Sequence, residues 1–432
     1  MRRPWLVTRW RHRRRRIWVL PTLMIVGSIL LSWLLPWLDR WRADDPDLGD
    51  GLIQFDLGAT ASLLASVASG VIAFSGFVFT AVTLALQFGT STFSARLIPV
   101  FQRDLVVRLA LGVFTSTFVY SVLIAARLGV RETDYKPVVA VLFGVGLAVA
   151  SVLVFFLLIN RIVDLLRVVR LLRRVASYGR YAIDKTYPDP HLDPEIQEVP
   201  SPGTSRVLRY GGRSGALLAV NAAGLAKIAE RHDLVVTLVP APGDFLAPGN
   251  ELLRIEGDVT DLHPGPIHRC LIVGEERALD NDPGFALRAI VDVANKALSP
   301  AINDPTTAVQ AIDYLEELLI RLGNRDLGIG VTTDERGAVR LRMRTPTWED
   351  FVSLATDEIR HFGGDSLQVL RRLRAMLEDV SAAVPPDRRP VLRIRRAAVD
   401  AAARAAFPDP PDHGLALLPD AQGLGSGERA PE

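Results

Sequence analysis

The sequence predicts a membrane α-helical fold of four transmembrane helices, followed by a cytoplasmic α+β region built from a small β module and a helical domain. Three observations predict it. Four apolar runs, about Ile17–Leu38, Ala59–Leu86, Val106–Leu128 and Val138–Val163, each reach the roughly 20 residues that cross a hydrocarbon core. Beyond them the pattern changes to short strands around Pro-Gly turns, and then to helical periodicity. Charge is uneven in place but balanced in sum: 50 Lys and Arg against 48 Asp and Glu give a net +2, which implies no nucleic-acid partner. The single cysteine, Cys270, excludes an internal disulfide framework and a cysteine zinc site.

The first run follows a basic arm (residues 1–16). It is too long for a signal peptide and carries no small-residue cleavage site, so it reads as a retained helix. The arm holds Arg13, Arg14, Arg15 and Arg16, and the fourth span exits into Arg161, Arg167, Arg170, Arg173 and Arg174. The first connection is acidic instead, with Asp39, Asp44, Asp45, Asp47, Asp50 and Asp56. The positive-inside rule therefore puts both termini in the cytoplasm. The same basic residues suit anionic lipid headgroups, at roughly 1 kcal/mol each near the surface.

In the second span Ala61, Ala65, Ser69 and Ala73 recur every four residues, beside a row of Ser62, Ser66 and Gly70. Small rows let helices approach closely where lipid removes the hydrophobic drive. They predict a packing face, within the bundle or between subunits of a homo-oligomer, or a weakly polar stripe along a solute path. No span carries a central acid or base, which argues against a proton relay. Arg108 and Arg127, at the ends of the third span, are expected to snorkel outward. Arg96, Arg103 and Asp104, in the elbow before it, are expected as surface anchors.

The remaining organisation reads as a membrane region over 17–178 that includes a basic helical extension, a Pro-rich linker over 187–205 and a β module over 206–258. A mainly helical domain over 270–406 and a disordered tail over 407–432 complete it. The module places strands at Ala216–Val220, Leu234–Leu238 and Leu252–Ile255, with a short helix capped by Asn221. Its only lysine, Lys227, falls in that helix, so the lipoyl-type swinging arm suggested by its strand-turn pattern is not expected. The helices follow at Pro283–Leu298, Pro305–Leu322, Trp348–His361, Ser366–Val380 and Pro390–Ala406, interrupted by a strand near Val339–Met343.

Asn-Asp-Pro occurs twice, at 281–283 and 303–305, each time directly before a helix. Asp282 and Asp304 are predicted N-caps, with Pro283 and Pro305 at the first helical positions. A helix of some 24 Å separates the two acids, so they cannot share an ion within one chain. Asp292 has Arg288 and Lys296 at ion-pair spacing, and His268 and Cys270, on one strand face, are too few for a metal site. No catalytic triad spacing, phosphate loop or nucleotide fingerprint is present, so no catalytic residue, cofactor or metal is expected. The connector Ser299–Asn303 reads as a rigid corner: Pro300 stops one helix, while Asn303 and Asp304 close turns before the next.

Three stretches, "LQFGTSTFSARLIPVFQRDLVVRLALGVFTSTFVYS", "SGALLAV" with "PGDFLAPGNEL", and above all "ALSPAINDPTTA", resemble a family of predicted bacterial membrane proteins known as a domain of unknown function. The resemblance implies four spans, a soluble C-terminal half and a place in the bacterial inner membrane; it implies no activity. Members usually carry a histidine pair where this chain has Asn160-Arg161, and often Glu-Gln-Asp at Asp280-Asn281-Asp282. Three functions follow as expectations: an oligomeric channel or transport-type protein gated by the soluble half, a membrane-anchored sensor or scaffold, or a tethered hydrolase using Asp280, Asp282, Asn303 or Asp304.

Overall fold

A computed structural model describes residues 19–43, 57–92, 104–130, 137–191, 205–259, 262–274 and 282–425. Arg13 to Arg16, Arg96, Arg103, Asp280 and the acidic loop from Asp44 to Asp56 lie outside them. The chain divides into two compact units, with the boundary between Arg170 and Leu171.

The first unit holds four helices long and apolar enough to cross a membrane: α1 (Val19–Ala43), α2 (Leu57–Thr92), α3 (Leu105–Val130) and α4 (Val138–Leu166). Successive helices run in alternating directions, the economical arrangement for short connections. Leu64, Val71, Val78, Ala110, Phe114, Ile124, Val154 and Leu158 fill the interior. The Phe74 and Phe155 rings stack at 4.8 Å where α2 crosses α4.

The fourth span does not run on as one basic helix. At Arg167 the backbone is extended (ψ 114°), and α5 (Val168–Thr186) begins after it. From Leu171 onward α5 belongs to the second unit, where Leu171, Leu172, Val175, Ala176, Ala182 and Ile183 bury its apolar face. The expected basic extension of the membrane region is thus, from Leu171 onward, a core helix of the second unit. Its amphipathic pattern, with Arg173 left exposed, is the physical reason.

The β module contains β1 (Ser205–Arg209), β2 (Gly215–Val220), α6 (Ala222–Arg231), β3 (Val235–Leu238), β4 (Phe245–Leu246), β5 (Glu251–Glu256), α7 (Pro264–His268) and β6 (Leu271–Gly274). β7 (Val331–Thr333) and β8 (Val339–Met343) follow two helices later. One sheet has the order β1-β5-β3-β8-β7 and the other β4-β2-β6. The strand near Val339 interrupts the helices as expected, and it also completes the module by pairing parallel to β3 through Val236 and Leu341. Leu217, Leu225, Leu238, Leu252, Ile255 and Leu341 form its core. Both Pro-Gly turns are tied to neighbouring strands: Gly243 donates to the Leu217 carbonyl (2.7 Å) and Gly249 to that of Tyr210 (2.8 Å). Their φ values of 99° and 91° explain the glycines. His268 ends α7 and is exposed, whereas Cys270 is buried beyond it, so the two do not share a strand face.

The helical part comprises α8 (Pro283–Ala297), α9 (Pro305–Gly323), α10 (Trp348–Phe362), α11 (Leu367–Ala383), α12 (Arg389–Ala406) and α13 (Pro410–Ala416). Thr347 and Asp350 cap α10 reciprocally, and Ser366 caps α11. The tail expected to be disordered is placed as far as residue 425. Asp420, 2% exposed, accepts from the amides of Gly423 (2.9 Å) and Gly425 (2.7 Å). Arg371, 1% exposed, donates to the carbonyls of Leu418 and Gly425. Two side chains thus order a segment whose composition has little to bury.

Candidate functional site

The small-residue face of α2 points away from its own bundle. Leu64, Ala68, Val71 and Val78 pack inward, leaving Ser62, Ala65, Ser66, Ser69, Gly70 and Ala73 exposed and Ala61 half-buried. Packing within the bundle is therefore not the role of this face. Its hydroxyls are already satisfied: Ser62, Ser66 and Ser69 donate to the carbonyls of Gly58, Ser62 and Ala65 at 2.9–3.0 Å. Among the described residues nothing stands within 4 Å of where a Gly70 Cβ would be. The result is a smooth strip that another helix could approach closely.

Polar contacts cross the mostly apolar interior of the bundle. Thr117 and Ser151, both fully buried, lie 2.9 Å apart, and the Tyr120 hydroxyl donates to the Ala140 carbonyl at 2.8 Å. At one end Asp39 is 5% exposed and accepts from the amides of Val139 and Ala140, both at 3.0 Å. The expected loop acid is thus the N-terminal cap of α4, where the helix dipole favours a negative charge. Arg127 does not snorkel away. Its guanidinium donates to the Ser32 carbonyl and lies 4.3 Å from the Trp33 ring.

At the other end Asp104 is no surface anchor. It is 4% exposed, caps α3 at the Val106 amide (3.1 Å) and accepts from Arg161 at 2.8 Å. Arg161 thus fixes the end of α4 to the start of α3. None of these pairings was visible in the sequence, although Pro36, four residues after Ser32, marked a carbonyl without its helical donor.

The motif corner lies in the second unit. Leu298 caps α8, and the amides of Ile302 and Asn303 donate to the Ser299 carbonyl at 3.0 and 2.9 Å. The Asp304 amide returns to the Ala297 carbonyl at 2.8 Å. Asn303 takes a φ of 48°, a left-handed conformation that asparagine tolerates. Asp304 caps α9 through the Thr307 amide (3.1 Å) and hydroxyl (2.5 Å), and Asp282 caps α8 through the Phe285 amide (3.0 Å). Pro283 and Pro305 open the helices. Asp282 stands near Tyr187, whose phenol is pushed upward first by burial and then by that charge.

Beside the corner, Arg288 bridges Asp292 (2.7 Å) and Glu358 of α10 (2.7 Å through its second terminal nitrogen). Asn295 donates to the same Glu358 at 2.6 Å. Asp292 thus joins a network between helices instead of a simple surface pair. Further along, Arg321 and Arg325 both donate to Asp184 of α5 at 2.5–2.8 Å, and Arg180 reaches Glu317 at 2.8 Å. The hydrogen bond from Arg321 holds the Asp184 carboxyl below the usual carboxylate range, with the charges of both arginines adding to it. The exposed Arg167, Arg170 and Arg173 and the half-buried Arg174 follow the last span.

No solved structure matches the chain. It is 28% identical over 414 residues to uncharacterised proteins of Mycobacterium bovis and Mycobacterium tuberculosis, covering 93% of this chain and 78% of each relative. The model of the family described as "Predicted membrane protein (DUF2254)" matches residues 14–379, from just before the first span into α11. With four apolar helices ahead of a mixed helical and sheet region, the chain belongs to this family of predicted membrane proteins.

Proposed function

We propose that the protein is a homo-oligomeric channel or transport-type protein of the bacterial inner membrane, passing ions or small solutes under control of its soluble half. The observation that carries this reading is the exposed, hydroxyl-satisfied face of α2 (Ser62, Ala65, Ser66, Ser69, Gly70, Ala73). A lone bundle gains nothing from such a face, whereas a second copy packed there gains close backbone approach. Thr117, Ser151 and Tyr120 are buried and bonded to one another's helices inside the bundle, which favours a path between copies over one through it. Basic flanks around the spans support cytoplasmic termini and a partnership with anionic headgroups. Asp282 and Asp304 each hold a helix start, which supports a non-enzymatic role.

The test is solute flux into liposomes carrying the purified protein, with disulfide trapping of Gly70→Cys in a Cys270→Ser background. Flux together with a cross-linked band between copies is expected. Impermeable liposomes and no cross-link would sink the reading. The same buried contacts favour a second reading, a non-transporting sensor or scaffold anchored by the four helices. It expects cross-linking or a co-purifying partner without flux.

A further inference from the structure

We propose that the Ser299–Pro305 corner is a bilayer-surface contact: the exposed end of the α8–α9 hairpin rests on phosphate-bearing, anionic headgroups. The proposal rests on the anionic-lipid reading above and extends it to the residues of the hairpin end.

The geometry is internal to the soluble half. Arg180 pairs with Glu317, and Asp184 with Arg321, one helical turn further along both helices. α5 and α9 therefore run parallel. Nine residues back from each, about 14 Å, lie Leu171 and Ala308, both buried. α8 gives the same placement in the opposite sense, with Ala286 against Gly179 and Asp282 near Tyr187. So α8 ends, and α9 begins, at the level where α5 enters this unit. Four residues before Leu171, the chain is at Arg167, where the last span has just ended. This end of the hairpin is therefore the end of its unit that the covalent chain joins to the last span.

The exposed chemistry fits such a surface. Pro300 and Ala301 are exposed and Ile302 half-buried at the tip. Leu298 packs beside Gly363, which brings the 52%-exposed Phe362 next to them. Lys296 on the last turn of α8 and Arg173 on α5 are exposed; Asp365 is the exposed acid beside Phe362, and the corner's own Asp304 is engaged with Thr307. An apolar tip flanked by cations is the pattern of an interfacial contact, in which aromatic and aliphatic groups enter the headgroup layer and cations meet phosphates. It also gives a reason for the stiffness of the corner: a tip locked by Pro300 and the left-handed Asn303 loses little freedom on contact.

The experiment uses the full chain with Cys270→Ser, reconstituted in liposomes, and a polarity-sensitive fluorophore on one introduced cysteine at a time. Ala301→Cys reports the corner and Leu153→Cys, on the exposed side of α4, reports insertion. Pro386→Cys reports the opposite end of the helical part, where Val384 packs on Gly323. Lipid-borne quenchers are expected to quench positions 301 and 153 but not 386. Quenching at 301 should strengthen when an anionic lipid replaces part of a zwitterionic one, and Lys296→Glu with Arg173→Glu should remove that gain. Quenching at 153 without quenching at 301 overturns the proposal, as does protection of 301 from aqueous quencher by a second copy instead of lipid. Equal quenching at 301 in both lipids overturns the recognition of anionic headgroups. None of these readouts depends on flux, so failure of transport and failure of this contact are distinguishable.

Discussion

The Arg127 guanidinium donates to the Ser32 carbonyl, the one acceptor in α1 that Pro36 deprives of its helical N–H. In a span, a backbone carbonyl without a donor has no water to turn to. The arginine therefore repairs a helix other than its own, and Trp33 shields the charge.

Replacing Arg127 by Leu is expected to lower stability by about 2 kcal/mol, the cost of an orphaned buried acceptor. Adding Pro36→Ala should recover most of that loss, because the N–H of residue 36 then returns to Ser32. Thermal unfolding of the four variants in detergent forms a double-mutant cycle. If the two losses simply add, Arg127 supports something other than that carbonyl.

Asn303 is held at φ 48° by the turn between Ser299 and Asp304. Asn303→Ala should cost about 1 kcal/mol, and Asn303→Gly much less, because only the first puts a Cβ without a helpful side chain into the left-handed region. Equal unfolding midpoints for the two variants would show that backbone conformation is not what selects asparagine there.

Local rules made much of this fold legible. The two Asn-Asp-Pro signals fixed both helix starts through Asp282 and Asp304, and the length of apolar runs located all four spans within a few residues. What stayed hidden depends on long-range pairing. Asp39 and Asp104 look like loop acids until Val139, 100 residues away, and Arg161, 57 residues away, are brought to them. The tail looked too polar to order because a single buried arginine, Arg371, carries no compositional signal. The outward direction of the α2 face was equally unreadable, since Leu64 and Ser66 lie on nearly opposite sides of a helix that is apolar all round.

Asp184 links helices of the second unit electrostatically, and its ordinary carboxyl value near 3.9 is lowered in the fold by Arg321 and then Arg325. The unfolded chain consequently takes up a proton at higher pH than the folded one does. The stabilisation is fully present above about pH 4 and fades as pH falls through the lower, folded value. Asp184→Asn should lower the thermal midpoint at pH 7, and the gap to the unmodified protein should narrow on acidification toward pH 3. A gap that stays constant with pH would mean that packing, not charge, is lost.

Asp420 turns the last ordered residues back on themselves by accepting the Gly423 and Gly425 amides, while Arg371 holds the outer carbonyls of the same segment. In Asp420→Ala both amides lose their acceptor in a buried setting, at a cost of about 2 kcal/mol. Arg371→Met should release the same segment with a smaller loss. It removes a desolvated charge while filling the core of α11, and the freed carbonyls can reach water. Limited proteolysis should therefore cut between Leu417 and Gly425 in both variants but spare that segment in the unmodified protein. Thermal unfolding should rank Asp420→Ala as the less stable. If Arg371→Met is the more damaging, the guanidinium supports the α9–α11 core directly, and the ordering of the tail is its consequence.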